Sequence, residues 1–270
     1  QCLWARLQYD RIVLSLDSSG DPLHKRGIKT IGGRAPLRET LAAGALIQAG
    51  FDGDTVLCDP MCGSGTFALE AAMIVKQIPP GGQRPFAFMD WPAFRPSHWQ
   101  YLCDQAGTAG PPPIKPQIYA SDRSRTAIDQ LATLLPGSGL ADAIDLQRRD
   151  VFDLSAPATG HRRGLVALNP PYGRRLGKPE ATPRLIGEIL HRLQQNFGGW
   201  RMLVVLPEKR LIRQIPFSVQ THSVMHGGRP VWIAIGNVPS RIKRSNLPAL
   251  WIVLMPAACW PKSLTDAWSA

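Results

Sequence analysis

Residues 169–172 read Asn-Pro-Pro-Tyr and carry the sharpest chemical signal in the sequence. They follow the apolar run 165–168, which predicts a buried strand. The Asn169 side-chain oxygen and the Pro170 carbonyl could hold the hydrogens of an aromatic amine, whose nitrogen is a poor nucleophile until it becomes pyramidal. Pro170 and Pro171 fix the chain, and Tyr172 offers a face for an extruded base. The alternative interpretation is a Pro-Pro turn with no chemical role.

A glycine loop about a hundred residues earlier is the second candidate. The apolar residues 56–58 end at Asp59, and residues 63–68 then fit the relaxed dinucleotide-binding pattern G-x-G-x-x-A. Glycines there let backbone N–H groups approach a ligand at a helix N-terminus. This pattern alone leaves open an NAD-dependent oxidoreductase, in which the prolines of residues 170–171 would have no role.

Acids end or follow the other predicted strands. Asp122 suits ribose hydroxyls because a carboxylate accepts hydrogen bonds without needing a donor, and Asp150 could accept an adenine amino group while Val151 or Phe152 flanks the ring. Asp59 could face an ammonium group of the same ligand. Each acid alone could instead be a helix cap or turn residue. Because ligands bind beyond the carboxyl ends of parallel strands, all four loops are expected at one pocket; they span residues 59–66, 121–123, 150–152 and 169–172.

Alternating strands and helices are predicted to position these loops. This alternation indicates a parallel, doubly wound α/β sheet, closed by an antiparallel hairpin. The predicted strands are 11–17, 55–58, 117–122, 144–147, 164–168, 202–206, 219–225 and 231–236. The predicted helices are 36–49, 67–76, 97–106, 124–135, 183–197 and 207–214.

An insertion at residues 79–116 interrupts this alternation. It is rich in proline and aromatic residues, which could stack on nucleic-acid bases or pack against the domain, and packing is favoured.

Composition narrows the choice of partner and compartment. The net charge of +11 favours a polyanion such as nucleic acid, although a generically basic proteome would also explain it. The five cysteines form no C-x-x-C pair, which argues against a disulfide framework or metal site and fits a reducing cytoplasm. The sequence has neither an apolar run of membrane-spanning length nor a signal-peptide pattern.

Five ordered motifs extend this interpretation to a family. They are residues 23–27, 35–43, 59–67, 169–173 and 197–200. Together they resemble the THUMP-associated RNA guanine-N2 methyltransferases, whose bacterial members modify 23S rRNA. The resemblance implies a Rossmann-like class I fold with a seven-stranded sheet and S-adenosyl-L-methionine as cofactor. It also implies a linker of an N-terminal THUMP-type RNA-binding module at residues 1–33, a methyltransferase domain at 34–240 and a C-terminal extension at 241–270.

The resemblance also implies a role for each site residue. Asn169, Pro170, Pro171 and Tyr172 are expected to be catalytic. The residues beside the cofactor are expected to be Pro36, Leu37, Arg38 and Thr40. The methionine part of the cofactor is expected beside Asp59, Met61, Cys62, Gly63, Ser64, Gly65 and Thr66. The adenosine part of the cofactor is expected beside Asp122, Arg123, Asp150, Val151 and Phe152.

One departure from the family pattern keeps alternatives open. The bacterial family commonly has Gly-Glu-Arg-Leu after the Asn-Pro-Pro-Tyr motif, whereas this chain has Arg174 in place of the acid. An adenine-N6 methyltransferase of DNA or RNA uses the same motif, and a catalytically silent RNA-binding module would tolerate the change. The sequence therefore predicts transfer to the guanine N2 amine of RNA, with these two alternatives.

Overall fold

The structure is a computed structural model that describes residues 2–28, 37–82, 84–106, 117–157, 164–171 and 181–240. Pro36, Tyr172, Arg174 and the segment 241–270 lie outside these ranges. Apart from Ser240, the described residues belong to one compact unit, Gln1–Pro239. The division into linker, methyltransferase domain and extension stays a prediction.

Nine strands are present in the described part of the chain. They are β1 Leu3–Gln8, β2 Arg11–Leu16, β3 Val56–Asp59, β4 Ile118–Asp122, β5 Ile144–Arg148, β6 Gly164–Leu168, β7 Arg201–Leu206, β8 Val219–His226 and β9 Arg229–Asn237. Seven of them form one sheet in the order β5-β4-β3-β6-β7-β9-β8. Strands β3 to β7 are parallel, and β9 is antiparallel to both β7 and β8. The predicted doubly wound, mostly parallel sheet is therefore confirmed.

The chain has five α-helices in its described part: α1 Glu39–Gln48, α2 Thr66–Val75, α3 Pro96–Ala106, α4 Arg125–Ser138 and α5 Ala181–Asn196. Four of them cover the two faces of this sheet, whereas α3 lies in the insertion and has no buried residue. Side chains alternate between the faces of a strand. Leu57 and Leu165 accordingly pack with α1, α2 and α4, whereas Val56 and Val166 pack with α5. All residues of β3 and β6 are buried, because these central strands are covered on both faces.

Helix α4 ends later than the sequence predicts. The predicted end was residue 135, before Pro136, yet the helix continues through this proline to Ser138 and is closed by Gly139 at φ +71°. A proline in the last turn removes only one helical hydrogen bond. The Ser138 hydroxyl satisfies a nearby carbonyl by donating to Leu135 O at 2.7 Å. Glycine adopts the left-handed conformation that ends many helices without a steric penalty.

The strands β1 and β2 form a separate antiparallel hairpin, and β1 was not predicted. Every residue of both strands is exposed, including Trp4 at 67% and Leu7 at 73%. The turn that follows is tied to the insertion, since Phe88 N–H donates to Ser18 O at 3.1 Å.

A 3-10 helix, Lys209–Gln214, occupies the place of the last predicted helix. Within the described ranges, no helix combines the length and apolar character that crossing a membrane requires.

Candidate active site

The candidate site lies where the winding of the sheet reverses. β3 pairs with β4 on one side and with β6 on the other, so the helices that follow these strands leave a crevice at their carboxyl ends. Loops after β3, β4, β5 and β6 enclose a cavity of about 230 Å³ there. Its described lining consists of Pro60, Met61, Gly63, Asp122, Arg123, Asp150, Val151, Phe152, Asn169, Pro171 and Leu185.

The glycine loop needs its two glycines for different reasons. Gly65 is the N-cap of α2 at φ +75°, and a Cβ there would lie 2.7 Å from the Leu131 side chain. Gly63 has φ +52°, and a Cβ there would meet no protein atom within 4 Å. Because Gly63 also lines the cavity, the loop presents open backbone to any ligand that enters.

Asp122 fixes the glycine loop. Its Oδ2 accepts a hydrogen bond from Gly63 N–H at 3.0 Å, and its Oδ1 accepts one from Ser124 N–H at 2.8 Å. Cys62 N–H also donates to Ser121 O at 2.9 Å. Each carboxylate oxygen has further acceptor capacity, so Asp122 can hold the loop and still accept a hydroxyl.

Asp150 starts a short 3-10 helix, Val151–Asp153, and its Oδ1 accepts from Phe152 N–H at 3.1 Å. This capping bond is the alternative role that the sequence left open for such an acid. Val151 and Phe152 nevertheless line the same cavity as Asp150. The cap therefore fixes an apolar wall beside a carboxylate, which suits an aromatic ring that carries an amino group.

Asn169 leaves β6 and presents an acceptor at the cavity wall. Its Oδ1 is buried and has no hydrogen-bond partner among the described residues. Buried polar atoms are nearly always paired in folded proteins. Pro170, which follows it, is buried as well. An incoming N–H group would satisfy the Asn169 oxygen, so this position is built to receive a donor.

The two cysteines beside the loop are packing residues. Burial raises the pKa of the Cys58 thiol to about 12, and the charge of Asp59 adds to this effect. Burial likewise raises the pKa of Cys62, with further contributions from Asp59 and Asp122. Both are thus uncharged near pH 7 and poor nucleophiles or metal ligands. The described residues contain no group of three or more His, Cys, Asp or Glu placed to hold a metal ion.

The structure places the predicted site residues in three sets. Nine of them line the cavity: Met61, Gly63, Asp122, Arg123, Asp150, Val151, Phe152, Asn169 and Pro171. Nine described ones are not in that lining: Leu37, Arg38, Thr40, Asp59, Cys62, Ser64, Gly65, Thr66 and Pro170. Pro36 and Tyr172 lie outside the described residues.

Two residues of the second set are almost fully buried. Leu37 is 2% exposed and belongs to the core cluster that includes α1, and Asp59 is 1% exposed at the end of β3. Neither residue lines the cavity.

Two lining residues, Pro60 and Leu185, are not among the residues predicted from the sequence. Pro60 lies within the loop 59–66, which the sequence already predicts to border the pocket. Leu185 belongs to α5 and reaches the cavity only because that helix packs across β6. No local sequence pattern identifies such a contact.

Comparisons with known proteins assign the chain to a family. Residues 26–224 match the family described as UPF0020, RMKL-like, methyltransferase domain. The ribosomal RNA large subunit methyltransferase K/L of Marinomonas sp. is 35% identical over 83% of this chain and 32% of its own length. The chain spans between 28% and 59% of the length of the curated relatives that it matches.

Solved structures agree with this match. SMU.472, a putative methyltransferase complexed with SAH, superposes with a TM-score of 0.77 and 26% identity over 89% of this chain and 62% of that one. A predicted N6-adenine-specific DNA methylase from Listeria monocytogenes superposes with a TM-score of 0.70 and 26% sequence identity, over 86% of this chain and 60% of that one. With its sheet order, glycine loop and Asn169 in place, the chain belongs to the RMKL-like methyltransferase-domain family.

Proposed function

We propose that this chain transfers a methyl group from S-adenosyl-L-methionine to the exocyclic N2 amine of a guanine in RNA, with 23S rRNA as the substrate. The observation that carries the proposal is the buried Asn169 Oδ1, an acceptor without a partner among the described residues, in the wall of the cavity that the glycine loop borders. The named relative that acts on ribosomal RNA supports the choice of substrate.

The lining residues fit the proposed cofactor. Asp122 and Asp150 would hold the hydroxyl and amino groups of its adenosine, with Val151 and Phe152 beside the ring. The open backbone at Gly63 would leave room for its methionine part. When bound, S-adenosyl-L-methionine supplies a methyl group on a positively charged sulfur, which makes that carbon electrophilic. The volume of about 230 Å³ is close to the lower end of the roughly 300–1,000 Å³ typical of ligand sites.

The residues after β6 would prepare the amine. The lone pair of a guanine N2 nitrogen is delocalised into the ring, so the nitrogen attacks only when it becomes pyramidal. Asn169 Oδ1 and the Pro170 carbonyl would each accept one N–H of the amine and thereby favour this geometry. The methylated amine is cationic and acidic, so it loses its extra proton to water without a strong general base. A single pair of fixed acceptors is therefore sufficient.

A second candidate is transfer to the N6 amine of adenine. The same two acceptors would hold that amine equally well, and the Listeria protein of similar structure bears a name of this kind. The net charge of +11 suits either nucleic acid.

Labelled methyl transfer to total RNA and to genomic DNA, followed by nucleoside identification, tests both candidates. N2-methylguanosine in RNA would support the first, and N6-methyladenine in either polymer would favour the second. Cofactor binding by calorimetry is measured beside it. If the chain binds S-adenosyl-L-methionine but modifies neither polymer, the proposed reaction is wrong.

A further inference from the structure

A second cavity lies in the insertion and shares no lining residue with the candidate active site. Its volume is about 370 Å³. The described lining residues are Ser18, Phe88, Trp91, Ala93, Phe94, Arg95, His98, Trp99 and Leu102. Four of these nine are aromatic, and none is acidic.

The aromatic residues here do not serve the main core. Neither of the two core clusters of described residues includes Phe88, Trp91, Phe94 or Trp99. Helix α3, which carries Trp99, has no buried residue. These four rings therefore lie outside both core clusters, and the expectation that they pack against the rest of the domain stays a prediction.

The rings instead pack against each other. Phe88 meets Trp99 edge-on with centroids 5.1 Å apart, and it contacts Phe94 at 5.8 Å. The result is an aromatic wall that stays half-exposed to solvent. Leu102, at the rim of this wall, is 48% exposed.

A buried arginine holds the wall in place. Arg84 is 7% exposed, and its guanidinium donates to Pro22 O at 2.9 Å and to Ser19 O at 3.0 Å. The same group lies 4.9 Å above the Phe86 ring. These contacts bind the start of the insertion to the segment after β2, next to the cavity.

Charge and hydrogen-bonding capacity indicate the ligand class. Arg95 and His98 line the cavity and are exposed, so they can meet phosphate oxygens. Trp91 Nε1 is buried without an acceptor among the described residues. The carbonyl oxygens and ring nitrogens of a nucleobase can accept this hydrogen bond once the indole turns toward the cavity.

We infer that this cavity, bordered by Phe88, Trp91, Phe94, Trp99, Arg95 and His98, binds an unpaired RNA base by stacking and contacts the adjoining phosphate. The RNA in this inference rests on the proposed function. The cavity shares no lining residue with the one at the carboxyl ends of the strands, so in this proposal it is an anchoring subsite outside the reacting centre.

Two variants probe the subsite without removing its rings. Ala93 is exposed and lines the cavity, so Ala93→Phe fills the space in which a base would stack. Arg95→Glu reverses the charge at the rim and leaves the volume open. The matched control is Ala132→Phe, an equal change at an exposed position of α4. Circular dichroism and thermal midpoints verify that each variant folds.

The probe is a single-stranded RNA oligonucleotide of mixed sequence, with a duplex of equal length beside it, and fluorescence anisotropy gives the affinities. We expect Ala93→Phe to weaken single-strand binding by about tenfold or more, because stacking of one base accounts for that much affinity. Arg95→Glu should weaken it severalfold, and Ala132→Phe should not change it. The duplex should bind wild type more weakly than the single strand does.

Wild-type affinity in both cavity variants would overturn the subsite, and so would equal binding of single strand and duplex. The methyl-transfer assay separates this inference from the proposed function. Weakened RNA binding in Ala93→Phe without methyl transfer in wild type would support the subsite and contradict the reaction. Methyl transfer by wild type, with a KM for RNA that Ala93→Phe leaves unchanged, would support the reaction and contradict the subsite.

Discussion

Asn169 isolates the contribution of one acceptor to the proposed reaction. Replacing it with alanine removes the buried Oδ1 and leaves in place Asp122 and Asp150, the acids proposed to hold the adenosine of the cofactor. We expect Asn169→Ala to lower kcat by roughly 10²–10³-fold, as loss of one preorganised polar group at a reacting centre typically does. The dissociation constant for S-adenosyl-L-methionine, measured by calorimetry, should change little.

The matched control is Asn237→Ala. This residue is exposed at the end of β9. It pairs with Arg201, the first residue of β7, so it lies at the amino-terminal ends of the parallel strands, whereas the cavity lies at their carboxyl ends. Its kcat should equal that of wild type. Retained methyl transfer in Asn169→Ala would contradict the role assigned to the amide.

The buried thiols predict a pattern of chemical labelling. The pKa of the Cys58 thiol is about 12. Since pH 7 is about five units lower, almost none of this thiol is thiolate. Iodoacetamide should therefore label Cys2 and Cys103, which are exposed and half-buried, and spare Cys58 and Cys62.

Mass spectrometry of the peptides measures this labelling, with guanidinium-unfolded protein as the control in which all four described cysteines react. Alkylation of Cys62 as fast as that of Cys2 in the folded protein would show that the loop beside the cavity opens. The pKa of Cys62 would then be lower than its burial implies.

At the scale of the element, the start of α2 depends on its N-cap residue, Gly65. Gly65→Ala forces a side chain into φ +75° and against Leu131 at 2.7 Å. We expect the free energy of unfolding to fall by about 2–4 kcal/mol, from backbone strain and overpacking together. Urea denaturation measures it.

Gly137→Ala is the opposing control, because this glycine lies within α4 and a Cβ there has no protein atom within 4 Å. Alanine at such a helical position should raise stability by about 0.5–1 kcal/mol. Equal effects of the two substitutions would mean that the glycine loop adapts to a side chain.

A second element-scale prediction concerns the link between residues 23–27 and α2. The side chains of Arg26 and Glu70 are 11% and 3% exposed, and their ion pair measures 3.2 Å. Glu70→Gln keeps the volume but removes the charge, so Arg26 would lose its ionic partner in a buried place. We expect a loss of about 3 kcal/mol in the free energy of unfolding.

Glu188→Gln is the control, since its pair with Arg184 joins side chains that are 85% and 49% exposed. Exposed pairs contribute at most about 1 kcal/mol. Thermal and urea unfolding of both variants make the comparison. If Glu70→Gln is as stable as wild type, the buried pair is not needed to hold residues 23–27 against α2.

Local patterns predicted the central strands best. The runs at β3, β6 and β7 read as strands because both faces are covered. Exposure did not decide the outcome at the hairpin, since β2 was predicted and β1 was missed although every residue of both is exposed. Helix α4 continues past Pro136 because a proline in the last turn removes only one hydrogen bond, and Ser138 and Gly139 complete its end. The position of Leu185 at the cavity depends on a contact between elements, which no local window contains. The roles assigned to the lining residues stay predictions.

For the whole molecule, stability is distributed unevenly. The hairpin β1–β2 is exposed at every residue, and an isolated two-stranded ribbon is marginal in water. Its backbone amides should exchange with deuterium far faster than those of β3 and β6, which open only with the sheet. Hydrogen exchange followed by mass spectrometry measures both sets. Equal protection would show that the apolar faces around Trp4 and Leu7 are covered in solution.

The parallel pairing of β3 with β6 also means that β3 is synthesised well before the strand with which it pairs. The two strands are joined by the 104 residues 60–163. A ribosome that adds about 5–20 residues per second needs roughly 5–20 s to make that stretch. During this interval the side of β3 that later pairs with β6 presents unpaired backbone groups, flanked by the apolar side chains of Val56, Leu57 and Cys58. Protection of this edge by chaperones during synthesis therefore bears on the yield of folded protein.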